Sequence, residues 1–199
     1  MPVWTDYEAQ AALEGFAVVC GIDEAGRGPL AGPVYAAAVV LPKGCVIDGL
    51  NDSKKLTEKK REQLFDIITE KAVCYGIGWA DEKEIDDINI LQATYLAMKR
   101  AVEKLGCVPS LALVDGNGKP PLGVPVRTIV KGDATCMSIA AASILAKVSR
   151  DRFMAELDKT YPQYQFLKHK GYGTKLHYEM IQKYGISPVH RLSFLKKMH

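Results

Sequence analysis

Asp23 and Glu24 stand side by side where the apolar run GFAVVCGID stops. Asp115 ends a second apolar run in LALVDGN, and Asp133 follows a third in VPVRTIVKGD. Gathered at one edge of a fold, four carboxylates repel one another, and such a cluster persists only with cations. Hard oxygen ligands of this kind suit Mg²⁺ or Mn²⁺, which keep several waters and complete their shells from phosphate oxygens. Singly, each acid has a plainer reading, since Asp115–Gly116 is a common turn pair and Asp133 could cap a helix. The adjacent pair Asp23–Glu24 resists that reading most, because both acids adjoin a buried strand.

Other chemistries fail on spacing. GRGPLAG places its third glycine, Gly32, one residue too late for GxGxxG, and Pro29 follows the second, which disfavours a dinucleotide fold. No GxxxxGK[ST] occurs. DGNGKP opens like a calcium loop, but Lys119 sits where an oxygen ligand is needed and Val126 where the glutamate belongs. No Ser or Cys nucleophile with a nearby His stands out.

The elements that must carry these acids follow from periodicity. GFAVVCGID reads as a buried strand, PVYAAAVVLP as a second and AVCYGIGWA as a third; SLALVDGNG and VPVRTIVKGD supply a fourth and fifth. Thr57 is placed to cap a helix over EKKREQLFDIITEK. Ile88, Leu91, Tyr95, Met98, Val102 and Leu105 step by three and four, the stripe of one long helix. A further long helix covers SIAAASILAKVSRDRFMAELDKTY, and its small face at Ala140–Ser143 suits close packing on a sheet. LHYEMIQKYG gives a shorter one. Three strands and then strand–helix alternation predict an α/β fold with a mixed sheet flanked by helices.

Within 199 residues, 48% hydrophobic and 25% charged, one sizeable core is expected, and no apolar run is long enough to span a bilayer. The N-terminal MPVWTDYEAQ lacks the features of an export signal. Five cysteines without a CxxC argue against structural zinc and for a reducing, cytoplasmic location. Cys20 and Cys74 read as small buried hydrophobes. Net charge is +3, but residues 168–199 hold seven Lys/Arg against Glu179, together with all four histidines. Charge alone does not choose between a solvated tail and a nucleic-acid surface interleaved with Tyr172, Tyr178, Tyr184 and Phe194.

Taken together, GIDEAGRGPLAGPV, LNDSKKL, NILQATYLAM, LVDGN, VKGDATCMSIAAASILAKVSRD and HKGYGT resemble bacterial ribonuclease HII, in that family's order and from residue 20 to about 175. The resemblance implies a ribonuclease H-like fold, with a catalytic domain over 1–160 and a basic helical extension over 161–199 packed on or near the catalytic face. It implies an endonuclease that cuts the RNA strand of RNA–DNA hybrids, including single ribonucleotides in duplex DNA, leaving 5′-phosphate and 3′-hydroxyl ends. On it, Asp23, Glu24, Asp115 and Asp133 are the catalytic carboxylates that hold Mg²⁺ or Mn²⁺, two ions in the substrate complex. Gly26, Arg27 and Gly28 read the ribose 2′-hydroxyl, and Tyr172 senses the step from RNA to DNA. For each of Lys54, Lys55, Lys147 and Arg150 a phosphate contact and a solvated face read equally well, and Lys170 is a further candidate substrate contact. The family usually has Arg or Lys after DGN, where this chain has Gly118 followed by Lys119. A monomer with no membrane contact is expected, and a docking partner in the replication machinery stays unspecified. Two other functions remain open: a nuclease or resolvase of the same fold acting on DNA, and a catalytically silent binder.

Overall fold

The computed structural model describes residues 4–196; Lys197 and His199 of the basic segment lie outside them. After a short helix α1 (Tyr7–Leu13), the chain forms β1 (Val19–Ala25), β2 (Val34–Val40), α2 (Glu58–Lys71), β3 (Cys74–Ala80) and α3 (Glu82–Glu103). It continues with β4 (Leu111–Asp115), β5 (Val126–Ile129), α4 (Gly132–Thr135) and α5 (Met137–Thr160). Three helices follow, α6 (Phe166–His169), α7 (Lys175–Tyr184) and α8 (Leu192–Leu195). The sheet order is β3-β2-β1-β4-β5, antiparallel across the first three strands and parallel across the last three. This is the mixed, five-stranded, helix-flanked sheet that the strand patterns predict. α1 has no counterpart in that reading.

Every residue of β2 is buried, because helices cover both faces of the sheet. Val34, Ala36, Ala38 and Val40 pack with Ala93, Ala97 and Ala101 of α3, while Ala37 and Val39 pack with Ala140, Ala141 and Ile144 of α5. Alanine-rich faces let the layers approach closely, and glycines complete the fit. A Cβ on Gly76 or Gly78 would run into the carbonyls of Ala101 or Ala97, and one on Gly21 into the backbone of Ser138.

α2 begins where expected, with the Thr57 side chain accepting from the Lys60 N–H at 3.2 Å. α3 departs from the single helix predicted. Asn89 takes φ 67°, and its side chain accepts from the N–H groups of Leu91 and Gln92 at 3.0 and 3.2 Å, capping a second helical segment. The kink rotates the stripe, so Ile88 and Leu91 are exposed while Ile85, Ala93, Ala97 and Ala101 face the core. Asp133 also differs in setting: it lies in α4 rather than at the end of β5. Cys74 is not an isolated buried hydrophobe, since its sulfur is paired in a disulfide with Cys107.

Residues 161–196 are not a solvated tail. Phe166, His169, His177, His190 and Arg191 are buried. The His177 and His190 rings meet Nε2 to Nε2 at 3.0 Å, and His190 Nδ1 lies 2.7 Å from the Ser187 hydroxyl. Burial, and then neighbouring histidines, push His177 down to about 4. Burial likewise pushes His190 down to about 4. This segment packs against residues 26–33 through the main chain: Leu30 donates to Gly171, Gly32 to Val189 and Arg191 to Leu30, each at 2.8 Å.

Candidate active site

The register of β1 and β4 pairs Ile22 with Val114, so the next step along each strand sets Asp23 and Asp115 beside each other at the carboxyl ends of parallel strands. Ligand sites in α/β sheets form at that edge. Asp115 serves two purposes: its Oδ1 accepts from the N–H of Gly132 at 2.7 Å, which seats α4 and with it Asp133. Asp23 is almost fully buried and accepts from the Glu24 N–H at 2.7 Å. Its carboxyl is held well above the usual range by burial first, then by the charges of Glu24 and Asp115. Glu24 is raised by burial, opposed by Arg27, whose Nη1 lies 3.2 Å from Glu24 Oε1. Asp133 is raised by burial and by Asp115.

Two protein cations flank this charge. Arg27 pairs with Glu24, and Lys54 Nζ stands 3.7 Å from Asp133 Oδ2. Some desolvation works against the charge of Lys54, although its side chain is largely exposed, yet Asp133, Asp52, Asp23 and Asp115 raise it above an ordinary lysine. Lys54 is presented by a 3₁₀ turn (Ser53–Lys55) that the sequence motif did not explain. Ser53 meets Ser143 of α5 at 2.9 Å, and Arg61 of α2 donates to the carbonyls of Ser53 and Leu56.

Beyond the acids the chain turns through Gly26, Arg27 and Gly28. Gly26 has φ 93°, and a Cβ there would strike the Arg150 side chain. A Cβ on Gly28 would meet only the Tyr172 ring, at 3.8 Å, so this glycine is not required by the protein's own packing. Tyr172 is 42% exposed. The structure therefore brings Asp23, Glu24, Asp115, Asp133, the Gly26–Gly28 turn, Lys54 and Tyr172 to one edge.

Three candidate substrate contacts are placed otherwise. Arg150 is fully buried and donates to the carbonyls of Pro33, Lys170 and Ala31 at 3.0, 2.9 and 3.2 Å. A guanidinium so engaged has no face to offer a phosphate. Lys147 lies 2.7 Å from the buried Asp151, and Lys170 has a largely covered side chain 3.6 Å from Glu58. Lys55, in the same turn as Lys54, is exposed. Gly118, where the motif departs from its usual form, leaves room for Tyr95, whose hydroxyl a Cβ would overlap.

Arg191 is the functional-site neighbour that the sequence did not disclose. It too is fully buried, with no carboxylate in ion-pair reach among the described residues, and its guanidinium bonds the backbone of the glycine turn. Burial, then the charge of Arg150, lower it to about 9, which leaves it protonated at neutral pH with every N–H available. HRLSF offers no local cue that its arginine points inward.

A mixed sheet with carboxylates on β1, β4 and the helix after β5 defines a ribonuclease H-like nuclease. The chain's fold is similar to that of ribonuclease H2 from Pyrococcus horikoshii, with a TM-score of 0.72 at 29% identity over 88% of this chain and 93% of that one. It is also similar to an Archaeoglobus fulgidus RNase HII solved with PCNA, with a TM-score of 0.70 at 26% identity over 88% and 94% of the two chains. Sequence likeness is stronger. A ribonuclease HII of Endomicrobium trichonymphae is 61% identical over 91% of this chain and 87% of its own. Those of Acetivibrio thermocellus and Caldicellulosiruptor bescii are 58% and 55% identical, over 96% and 97% of this chain and 74% and 94% of theirs. The family model for ribonuclease HII matches residues 20–197. The chain belongs to the ribonuclease HII family, and is thus an endoribonuclease of the ribonuclease H class. Among the described residues no helix is long and apolar enough to cross a membrane.

Proposed function

We propose that the chain hydrolyses the RNA strand of RNA–DNA hybrids and also cuts at single ribonucleotides embedded in duplex DNA, leaving 5′-phosphate and 3′-hydroxyl ends. The observation that carries this reading is continuity. The strand that bears Asp23 and Glu24 runs directly into the Gly26–Gly28 turn, and Tyr172 lies against Gly28. Reader and cutter are then one unit. A ribose differs from a deoxyribose by its 2′-hydroxyl, which backbone groups can bond without touching a base.

The donor set fits divalent ions such as Mg²⁺ or Mn²⁺. Asp23, Glu24 and Asp133 are raised by burial and crowding, the condition that a bound cation relieves. As the side chains stand, no three described His, Cys, Asp or Glu converge tightly enough to bind one ion alone. Asp23, Glu24, Asp115 and Asp133 would hold the divalent ions. When bound, a pair of such ions activates water and stabilises the leaving oxygen. The protein's own part is to orient the phosphodiester. Gly26–Gly28 fix the ribose, and Lys54, the exposed cation nearest Asp133, meets the backbone phosphate. Water's oxygen joins phosphorus, the bond from phosphorus to O3′ breaks, and O3′ leaves with a proton.

The test is cleavage of an end-labelled DNA duplex carrying one ribonucleotide, with and without Mg²⁺ or Mn²⁺. Cutting at the ribonucleotide only, and only with metal, is the expected result. Equal cutting of the all-DNA duplex would favour a DNA nuclease of this fold. Full activity in excess chelator would remove the metal reading.

A further inference from the structure

Two arginines with no ion-pair partner among the described residues lie behind the glycine turn. Arg191 Nη2 donates to the Gly26 carbonyl at 2.7 Å, Nη1 to Arg27 at 3.0 Å and Nε to Gly32 at 2.8 Å. Arg150 takes the carbonyls of Ala31 and Pro33. Arg191 is itself fixed on both sides. Its N–H donates to Leu30, and Asp86 accepts from the next two N–H groups, Leu192 at 2.8 Å and Ser193 at 2.9 Å.

Which carbonyls are clamped matters. A peptide unit is planar and trans, so the C=O of one residue and the N–H of the next share a plane and point in opposite directions. Bonding the Gly26 oxygen inward turns the Arg27 N–H outward, and bonding the Arg27 oxygen inward does the same to the Gly28 N–H. Among the described residues, neither N–H has a hydrogen-bond partner within the protein.

We propose that Arg191 is a positioning residue for ribose recognition: its guanidinium presets the Arg27 and Gly28 N–H groups in the orientation that bonds the 2′-hydroxyl. The inference rests on the reading of the turn as the ribose reader. Planarity makes arginine necessary, because its fork spans adjacent carbonyls. A lysine keeps the charge and delivers one compact group that cannot hold both. Orientation set before substrate arrives avoids an ordering cost on binding.

The test uses Arg191→Lys in the full-length protein. Fluorescence anisotropy in chelator gives its affinity for a duplex with one ribonucleotide and for the same duplex in DNA alone. The expected result is an unchanged affinity for DNA and a ribonucleotide preference narrowed about tenfold, the loss of roughly one hydrogen bond. Equal weakening on both duplexes, as from a merely structural role, or an unchanged preference would overturn the proposal. If the wild type itself shows no preference, the ribose-reading function fails instead, which keeps the two failures apart. Should Arg191→Lys not fold, ¹⁵N relaxation on the substrate-free wild type decides. Arg27 and Gly28 amides as rigid as the β1 strand, with order parameters near about 0.85, support the clamp. Values below about 0.6 overturn it.

Discussion

Replacing Asp23 by asparagine should make the metal-free protein more stable while abolishing cleavage. Asp23 is 6% exposed, and its ionised form faces Glu24 and Asp115, so burial and repulsion both raise its carboxyl. Asparagine keeps the shape and the oxygen that accepts from the Glu24 N–H, and removes the charge. Each unit by which a buried acid is raised is about 1.4 kcal/mol at a pH where it must ionise. Each kcal/mol gained lifts Tm by about 2–4 °C in a chain of this length. The sign follows from linkage. An acid raised in the folded state penalises folding only above its unfolded value, so the benefit of Asp23→Asn grows from about pH 4 toward about pH 7.5 and fades below about pH 4, as the unfolded carboxyl too becomes protonated. Calorimetric melting of both proteins in chelator across that range measures it. A variant no more stable than the wild type near neutrality, or a gain that does not shrink as the pH falls toward about 4, would refute the account of a strained carboxylate cluster. Adding Mn²⁺ should then stabilise the wild type more than the variant, because ligands that bind only the native state raise Tm.

The two glycines of the turn should separate by assay: Gly28→Ala melts like the wild type but loses about tenfold or more in kcat/KM, because its methyl has room in the protein and intrudes only on substrate. Gly26→Ala should lower Tm as well, since the methyl meets Arg150 and the residue has positive φ; equal melting of the two variants would contradict this. Tyr172→Ala should reduce cleavage at a single ribonucleotide more than in long RNA, and equal losses in kcat/KM on the two substrates would make the ring a general contact. Below about pH 6.5 the fold should lose stability as His177 and His190, both lowered to about 4, are forced to take up protons that the unfolded chain binds more readily. A flat Tm between about pH 7 and 4 in the Asp23→Asn background would exclude that contribution.

The sheet was legible because its strands are short apolar runs between glycines and prolines, and α2 because Thr57 precedes an amphipathic period. The Asn89 kink was not. The apolar steps continue through it, and only the side-chain cap to Leu91 and Gln92 reveals that two helical segments meet there. The carboxylates could be singled out since acids at the ends of apolar runs are unusual. Basic residues carry no such sign. Lys54 and Arg150 look alike in sequence, yet one is exposed beside Asp133 and the other is sealed among carbonyls. Which it is depends on where residues 31–33 pass, a long-range fact. Cys74 and Cys107 are likewise 33 positions apart, with nothing local to pair them.

The buried arginines bear on how the two parts of the chain act together. A guanidinium with a carboxylate partner is neutralised; one satisfied by backbone carbonyls has its N–H groups bonded but keeps its charge. Arg150 and Arg191 therefore place two positive charges, held by backbone carbonyls, behind residues 26–33, next to a site with four acids. Carboxylate partners there would have deepened the negative field that an incoming phosphate backbone must enter. Arg150 bonds both Lys170 and the carbonyls of Ala31 and Pro33, and Arg191 those of Gly26, Arg27 and Gly32, so each ties residues 161–196 to the stretch 26–33 that follows the strand bearing Asp23. Cutting the chain before α6 would remove Tyr172 from the site and also release the carbonyls that orient the turn. In this protein the segment that looks in sequence like a basic appendage is part of the frame of the glycine turn proposed to read the ribose.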